Sequence, residues 1–189
     1  MSRLAALLAL LITVGPGLRA EEVVVDFEKA EIGKPVREWT EQGVVFKLAA
    51  PLARSKAAGR VMFFPHIGTD HKGILNAMAT EQAIPVQATF PKSVAAVTLV
   101  MWGSTGCPVR LEALDDNGVV VDTASVAAAP GRKSPGQPVP FFRLSVAAPA
   151  ISAIRFSGPR DGEFLAVDEI RFTPVEPHHP PSVATNSSN

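Results

Sequence analysis

The 189-residue sequence has one cysteine, Cys107, and no tyrosine. A single cysteine excludes an internal disulfide, so the chain depends on its hydrophobic core for stability. Basic and acidic residues balance at 18 each. Without a surplus of Lys and Arg, the sequence lacks the electrostatic footprint of a nucleic-acid-binding protein or of one that binds anionic membranes.

Long apolar runs are also lacking, apart from a short one near the N-terminus. Arg3 supplies a positive charge, an apolar segment extends from Leu4 to Val14, and Gly15-Pro16-Gly17 ends it. A membrane-spanning helix needs roughly 20 apolar residues, and this segment is much shorter. Small Ala20 then precedes two glutamates. The pattern predicts a secretory signal peptide over residues 1–20 and export to the periplasm or the cell exterior, with no membrane insertion after cleavage.

Cleavage after residue 20 would leave 169 residues (189 minus 20). Arg3 and Arg19 would be lost, which leaves 16 basic residues against 18 acidic ones and a net charge of −2. Residues 21–174 are long enough for one domain. Residues 175–189 are rich in Pro, His, Ser and Asn, which predicts a disordered tail.

About ten runs of strand length follow the predicted signal peptide, many of them β-branched and separated by turn residues. This pattern is typical of an antiparallel β-sandwich with little helix. The runs cover residues 23–28, 43–48, 60–64, 84–90, 94–102, 109–114, 119–126, 141–146, 151–156 and 164–172.

Several segments carry more specific expectations. The run 94–102 is apolar on both parities, which predicts a central strand covered on both faces. Asn117-Gly118 between two alternating runs predicts a hairpin with a type I′ turn, since both residues tolerate positive φ. One or two helical turns fit residues 72–83. The four prolines in residues 127–140 indicate a surface loop at one end of the sandwich.

The order of these pieces resembles a family. An acidic opening run, Val25-Asp26-Phe27-Glu28, and a closing run, residues 166–172 (Ala-Val-Asp-Glu-Ile-Arg-Phe), frame the alternating run 109–120. This is similar to secreted bacterial jelly-roll modules of the galactose-binding-like or carbohydrate-binding-module kind. The resemblance implies a jelly-roll β-sandwich whose first and last strands lie side by side.

The resemblance also implies a structural calcium ion, held by acidic residues of the first and last strands. Asp168 falls on the mostly apolar parity of the closing run, where a bare carboxylate needs a cation or several donors. Calcium takes six to eight oxygen ligands. The proposed ligands are Glu28 and Asp168, with Asp26 or Glu169 as a third. The alternative is that Asp168 accepts backbone hydrogen bonds at a bulge, while Glu169 pairs with Arg171 or is solvated.

Two tryptophans are the candidate platforms for a sugar ring. Trp39 lies in a predicted loop and Trp102 ends the central strand, so each could stack on a ligand or simply pack against the core. The absence of tyrosine, a residue frequent at sugar sites, weakens a carbohydrate function. Arg60, His66 and Arg110 are further candidate ligand-binding residues.

Catalytic motifs are missing from the sequence. His66, Asp70 and His71 form the densest polar cluster, but their spacing fits neither His-Glu-x-x-His nor any other established metal or acid–base motif. The sequence therefore favours a noncatalytic module that binds extracellular glycan or another surface polymer. The alternatives are a structural or adhesion protein that binds an envelope protein and, third, a hydrolase.

Overall fold

The structure is a computed structural model. It describes residues 21–33, 36–49, 61–65, 72–76, 85–103, 106–131, 133–135, 140–157 and 165–175. The predicted signal peptide, the tail beyond residue 175, Arg60 and the cluster of His66, Asp70 and His71 lie outside the described residues. Within those ranges, no helix has the length and apolar character needed to cross a membrane.

Every regular element in the described part of the chain is a strand, and every strand pairing is antiparallel. This confirms the predicted all-β class. The ten strands are β1 (Val23–Val25), β2 (Trp39–Glu41), β3 (Val44–Leu48), β4 (Val61–Pro65), β5 (Lys72–Asn76), β6 (Val86–Gly103), β7 (Val109–Leu114), β8 (Val120–Val126), β9 (Phe142–Ser157) and β10 (Leu165–Pro174).

Two long strands, β6 and β9, pair along their length and belong to both layers of the fold. Residues 86–89 of β6 lie between β3 and residues 153–156 of β9. Residues 96–101 of β6 lie between β10 and residues 142–147 of β9. The register shifts between Thr89 and Ala96, and such irregularities bend a strand. Each of these two strands therefore contributes one half of its length to each layer.

The first layer has the strand order β2-β3-β6-β9-β7-β8, and the second has β4-β5-β10-β6-β9, with β1 also paired to β10. One hydrophobic core joins the two layers. Phe27 and Phe46 meet edge to face with ring centroids 5.2 Å apart, a favoured geometry for aromatic pairs. Fully buried side chains come from both layers: Phe27, Phe46, Phe156, Leu99, Met101, Leu111, Ile151, Ile154, Ile170 and Val25.

The first and last strands lie side by side, as the resemblance implied. Val23 pairs with Phe172 and Val25 with Ile170. β1 is shorter than the predicted run, because the chain turns at Phe27, whose φ is 59°. Asp26 and Glu28 are therefore exposed residues of the turn that follows the strand.

Two expectations about strands need correction. The run 94–102 is central, but its outer face is largely open: Ala96 is exposed and Thr98 half-buried, and Val100 is the covered residue there. Residues 72–76 form strand β5 rather than a helical turn, because they pair with both β4 and β10. Tertiary pairing overrides weak local preferences of this kind.

The hairpin at Asn117-Gly118 is confirmed, but its turn type is not I′. Gly118 has a φ of 76°, whereas Asn117 is not among the residues with positive φ. The amide of Gly118 donates to the carbonyl of Asp115, and the amide of Asp115 donates to the carbonyl of Val119. This is a type I turn followed by a left-handed glycine. The described residues between β8 and β9 contain no strand, as expected for the proline-rich loop.

Asp122 links the edge of the first layer to the second. Its Oδ1 accepts a 2.8 Å hydrogen bond from the amide of Thr123, and its Oδ2 accepts one of 2.8 Å from the amide of Ala147 in β9. A side-chain carboxylate thus satisfies a backbone donor on the neighbouring layer. Cys107 is half-buried in the connection before β7.

Candidate ligand-binding site

A depression of about 340 Å³ opens beside the β2–β3 hairpin. Its lining residues are Lys29, Trp39, Thr40, Glu41 and Gln42. We call it the Trp39 depression. Its volume is near the lower end of the range for small-molecule sites, roughly 300–1,000 Å³.

Trp39 is fixed at the edge of the core. It pairs with buried Phe46 across β2 and β3 and packs partly against the hydrophobic core. Its indole Nε1 donates a 3.2 Å hydrogen bond to Oε2 of Glu41. The half-buried ring of Trp39 packs against the core and also lines the depression. Trp39 lies in strand β2 rather than in the predicted loop, because it pairs with β3, and its stacking on a ligand stays a prediction.

Glu41 is the titratable group of this depression with a perturbed pKa. Burial raises the pKa of Glu41, and the neighbouring Asp26 carboxylate raises it further through repulsion and a hydrogen bond. The hydrogen bond from Trp39 and the positive charge of Lys29 act in the opposite direction. Ionisation of Glu41 is therefore less favourable than ionisation of a fully solvated glutamate.

The hairpin that carries these residues has a strained backbone. Gln42 and Gly43 have φ values of 49° and 77°, so the two-residue loop between Glu41 and Val44 has the positive φ values of a type I′ turn. An L-residue with a Cβ is disfavoured in this region, and such strain concentrates at functional positions. Gly43 has a second constraint, because a Cβ there would lie 3.1 Å from Cγ of Pro91.

The outer face of the first layer carries a polar row. In register across five strands lie Lys47, Gln87, Arg155, Glu112 and Thr123. Strand side chains alternate between faces, and the sequence neighbours of this row in β3, β6, β9 and β7 are buried in the core. The alternation fixes the row on the solvent side of a rigid sheet.

Glu112 is the acidic residue of this row and lies close to two arginines. Nη2 of Arg110 lies 2.8 Å from its Oε1, and Nε of Arg155 lies 3.6 Å from its Oε2. The second distance is longer than a hydrogen bond. The buried Nε of Arg155 has no hydrogen-bond partner among the residues that the structure describes.

A second depression, of about 270 Å³, lies next to the polar row. We call it the Arg155 depression. Its lining residues are Gln87, Thr89, Leu114, Asp115, Asp116, Gly118, Ser152, Ala153 and Arg155. One wall is the β7–β8 turn, where Oδ1 of Asp115 accepts hydrogen bonds from the amides of Asn117 (2.9 Å) and Val119 (2.8 Å). These bonds hold the wall in one conformation.

The structure places the predicted ligand-binding residues in different regions. Trp39 lines the Trp39 depression, and Arg110 is an exposed residue of the outer face beside the Arg155 depression. Trp102 belongs to β6, where it pairs with Ala166 of β10. Arg60 and His66 lie outside the described residues.

The four proposed calcium ligands do not form a metal-binding group. Among the described residues, no three His, Cys, Asp or Glu side chains are arranged to hold a metal ion. Asp26 accepts a 3.2 Å hydrogen bond from the amide of Glu28. Glu169 forms an ion pair with Arg171. Asp168 is the extra residue of a bulge between Val167 and Glu169. The bulge and the Glu169–Arg171 pair belong to the alternative reading of the sequence, while backbone hydrogen bonds to Asp168 stay a prediction.

Several residues of these sites escaped the sequence analysis. Glu41 and Gln42 follow Trp39 closely, and Gln42-Gly43 is a turn dipeptide between two short runs, but β2 has only three residues and gives little periodic signal. Arg155 occupies the polar position of an alternating run. Its meeting with Glu112 and Gln87 depends on the pairing of distant strands, which the sequence does not display.

Comparisons with known proteins concern the fold. No protein-family model matches the sequence, and no curated protein matches it. The K2 cleaved adhesin domain of Lys-gingipain is similar in structure, with a TM-score of 0.50 and 11% identity over 81% of this chain and 99% of that one.

Two carbohydrate-binding modules are also among the similar structures. TmCBM61, solved with β-1,4-galactotriose, has a TM-score of 0.41 and 12% identity over 79% of this chain and 94% of that one. CsCBM6-3 from Clostridium stercorarium, solved with cellobiose, has a TM-score of 0.38 and 13% identity over 69% and 93%. At such identities a likeness concerns the fold alone, and a shared fold does not specify a ligand.

Proposed function

We propose that this chain is an exported, noncatalytic domain that binds extracellular glycan at the Trp39 depression. The observation that carries the proposal is the position of Trp39, an aromatic side chain that is held by the core and lines a depression otherwise made of polar residues. An apolar platform with a few convergent polar groups is the usual composition of a small-ligand site.

The depression offers several hydrogen-bonding groups to sugar hydroxyls. Lys29 donates, Gln42 both donates and accepts through its amide, and Glu41 accepts. Trp39 and Glu41 are already joined by a hydrogen bond, so neither needs much ordering when a ligand binds. Less entropy is lost on binding when the site is preorganised in this way.

The acidic group that lines the Trp39 depression supports binding rather than glycoside hydrolysis. Glycosidases place two carboxyl groups about 5–10 Å apart, on either side of the bond to be cleaved. Among the described residues that line the Trp39 depression, Glu41 is the one with a carboxyl group. Among these lining residues, the second carboxyl group that hydrolysis requires is therefore missing.

A glycan array followed by titration calorimetry tests the proposal. We expect Trp39→Ala to weaken binding of the selected glycan at least about tenfold, or roughly 1.4 kcal/mol. Trp39→Phe retains an aromatic face and should lose less affinity. Phe141→Ala, which removes an exposed aromatic ring elsewhere, is the matched control. An array without binders, or equal affinity for wild type and Trp39→Ala, would refute the proposal.

Export is part of the proposal and has a separate test. Cell fractionation should place the protein in the periplasm or the medium, and N-terminal sequencing should begin at Glu21. A cytoplasmic protein that retains Met1 would contradict it.

A structural or adhesive role that involves an envelope protein is the second candidate. Three consecutive valines at the start of the edge strand β8, Val119, Val120 and Val121, are 58%, 41% and 42% exposed. Exposed apolar residues at one place favour protein contact. Crosslinking in intact cells distinguishes the candidates, because Val121→Lys should abolish an adhesive contact and leave glycan binding unchanged.

A structural calcium ion stays a separate proposal. Since the described side chains alone do not form a site, an ion at Asp26, Glu28, Asp168 or Glu169 would require backbone carbonyls or residues outside the described ranges. Calcium that binds only the folded state raises the unfolding midpoint. An unchanged Tm in millimolar calcium would exclude the ion.

A further inference from the structure

We propose that the Arg155 depression is a second glycan site, specific for an uncharged sugar chain and independent of Trp39. The ligand class, extracellular glycan, rests on the proposed function. It concerns another surface, which the sequence analysis did not identify apart from its neighbour Arg110.

The floor and walls of the depression fit a polyhydroxylated ligand. Ala153 and Leu114, 6% and 3% exposed, provide a closely packed apolar floor. Gln87, Thr89 and Arg155 stand on adjacent strands on one side, and the Asp115–Asp116 turn forms the other. Donors therefore face carboxylate acceptors across the floor, and a sugar with neighbouring hydroxyl groups satisfies both sides.

The guanidinium of Arg155 is held in place but incompletely hydrogen-bonded. Glu112 attracts it at 3.6 Å, beyond hydrogen-bond distance, while Arg110 binds the same carboxylate at 2.8 Å. The Arg155 side chain is 30% exposed. Nε of Arg155 is buried, so a ligand would meet the terminal Nη1 and Nη2 groups. Because the one carboxylate beside Arg155 is shared with Arg110, these groups retain donor capacity for a ligand.

The charges around the depression favour an uncharged ligand. Arg110 and Arg155 face one shared carboxylate, and Asp115 and Asp116 stand opposite. A uronate that approached Arg155 would also meet these two aspartates, and like charges repel. An uncharged sugar can accept from Arg155 and donate to the turn without a charge penalty.

None of the described residues that line the Arg155 depression is aromatic. Binding must then depend on hydrogen bonds, each worth about 0.5–1.5 kcal/mol net. A site of this kind is selective for hydroxyl geometry, because unpaired polar groups are costly.

NMR titration of the full protein tests the proposal. The probes are cellohexaose, xylohexaose, mannohexaose and laminarihexaose, with hexagalacturonic acid as the charged counterpart. In Trp39→Ala protein, at least one neutral probe should shift the Arg155 Nε–H and Gln87 side-chain amide signals, and hexagalacturonic acid should bind at least about tenfold more weakly, or 1.4 kcal/mol.

Matched substitutions separate this site from the Trp39 depression. In the Trp39→Ala background, Arg155→Lys keeps the charge but not the planar fork, and it should weaken neutral-probe binding at least about fivefold, or roughly 1 kcal/mol. Gln87→Ala, a second and milder variant, should weaken it at least twofold. Arg143→Ala removes an exposed arginine of β9 in the second layer and should leave affinity unchanged.

Four outcomes would overturn the second site. No neutral probe shifts the Arg155 and Gln87 signals in any protein, or the wild type shows these shifts and the Trp39→Ala protein does not. The other two are tighter binding of hexagalacturonic acid than of the neutral probes, and unchanged affinity in both Arg155→Lys and Gln87→Ala. If Trp39→Ala leaves all binding intact while Arg155→Lys weakens it, the Trp39 proposal fails and the second site stands.

Discussion

Asp122 joins the two layers at their open edge, and its removal has a calculable cost. Its carboxylate accepts two hydrogen bonds of 2.8 Å, from the amides of Thr123 and Ala147. Hydrogen bonds to charged groups contribute about 1.5–3 kcal/mol each when well shielded. Both bonds here are exposed, so water partly replaces them, and about 1 kcal/mol each is the appropriate scale.

We therefore expect Asp122→Ala to lower the free energy of unfolding by about 2 kcal/mol. For a domain of this size that is a Tm decrease of about 4–8 °C. Asp122→Asn retains one carbonyl acceptor and should show about half the decrease. Ser125→Ala, an exposed position on the same strand, should change the free energy by less than about 0.5 kcal/mol.

Urea unfolding followed by tryptophan fluorescence measures these differences, since the midpoint shifts at constant slope when stability alone changes. The reasoning is refuted if Asp122→Ala and Ser125→Ala unfold at the same urea concentration. A larger effect in Asp122→Asn than in Asp122→Ala would also refute it, because the amide keeps an acceptor that alanine lacks.

Two further predictions concern the turns and the Trp39 depression. Gly118→Ala should cost about 1–2 kcal/mol in urea unfolding, because Gly118 has a φ of 76° although nothing lies within 4 Å of an added Cβ; no loss would show that the turn relaxes to another type. The raised pKa of Glu41 means that the folded state binds this proton more tightly, so its stabilising contribution is present below the unfolded pKa and lost as pH rises through the folded pKa. Glu41→Gln cannot ionise, so relative to wild type it should gain thermal stability between pH 4 and pH 7, and an equal difference at both pH values would contradict the shift.

Strands in which apolar and polar residues alternate strictly can be predicted from the sequence. β7 begins and ends where its alternating run predicts, at Val109 and Leu114. The pairs 84–90 with 94–102 and 141–146 with 151–156 were predicted as four strands, yet each pair forms one bent strand. A bulge looks like a break in the sequence, because the alternation restarts on the other parity.

The candidate sites were only partly predictable, for a related reason. Trp39 and Arg110 could be named because their residue types are conspicuous in the chain. Glu41, Arg155 and the acceptors around them gain their roles from partners that are distant in sequence: Arg155 meets Gln87 and Glu112 through strand register. The parity prediction for Asp168 ignored a bulge that moves it off the regular alternation.

The pairing of β1 with β10 determines how this domain would respond to mechanical tension. Val23 lies opposite Phe172, so the chain enters and leaves the domain at the same end of that strand pair. Tension applied through both chain ends would load the Val23–Phe172 pair first, so the residue pairs of β1 and β10 would separate one after another. Val25 and Ile170, the inner pair, are 145 residues apart in sequence (170 minus 25). Separation of β1 would leave the edge of β10 beside Arg171 without its strand partner.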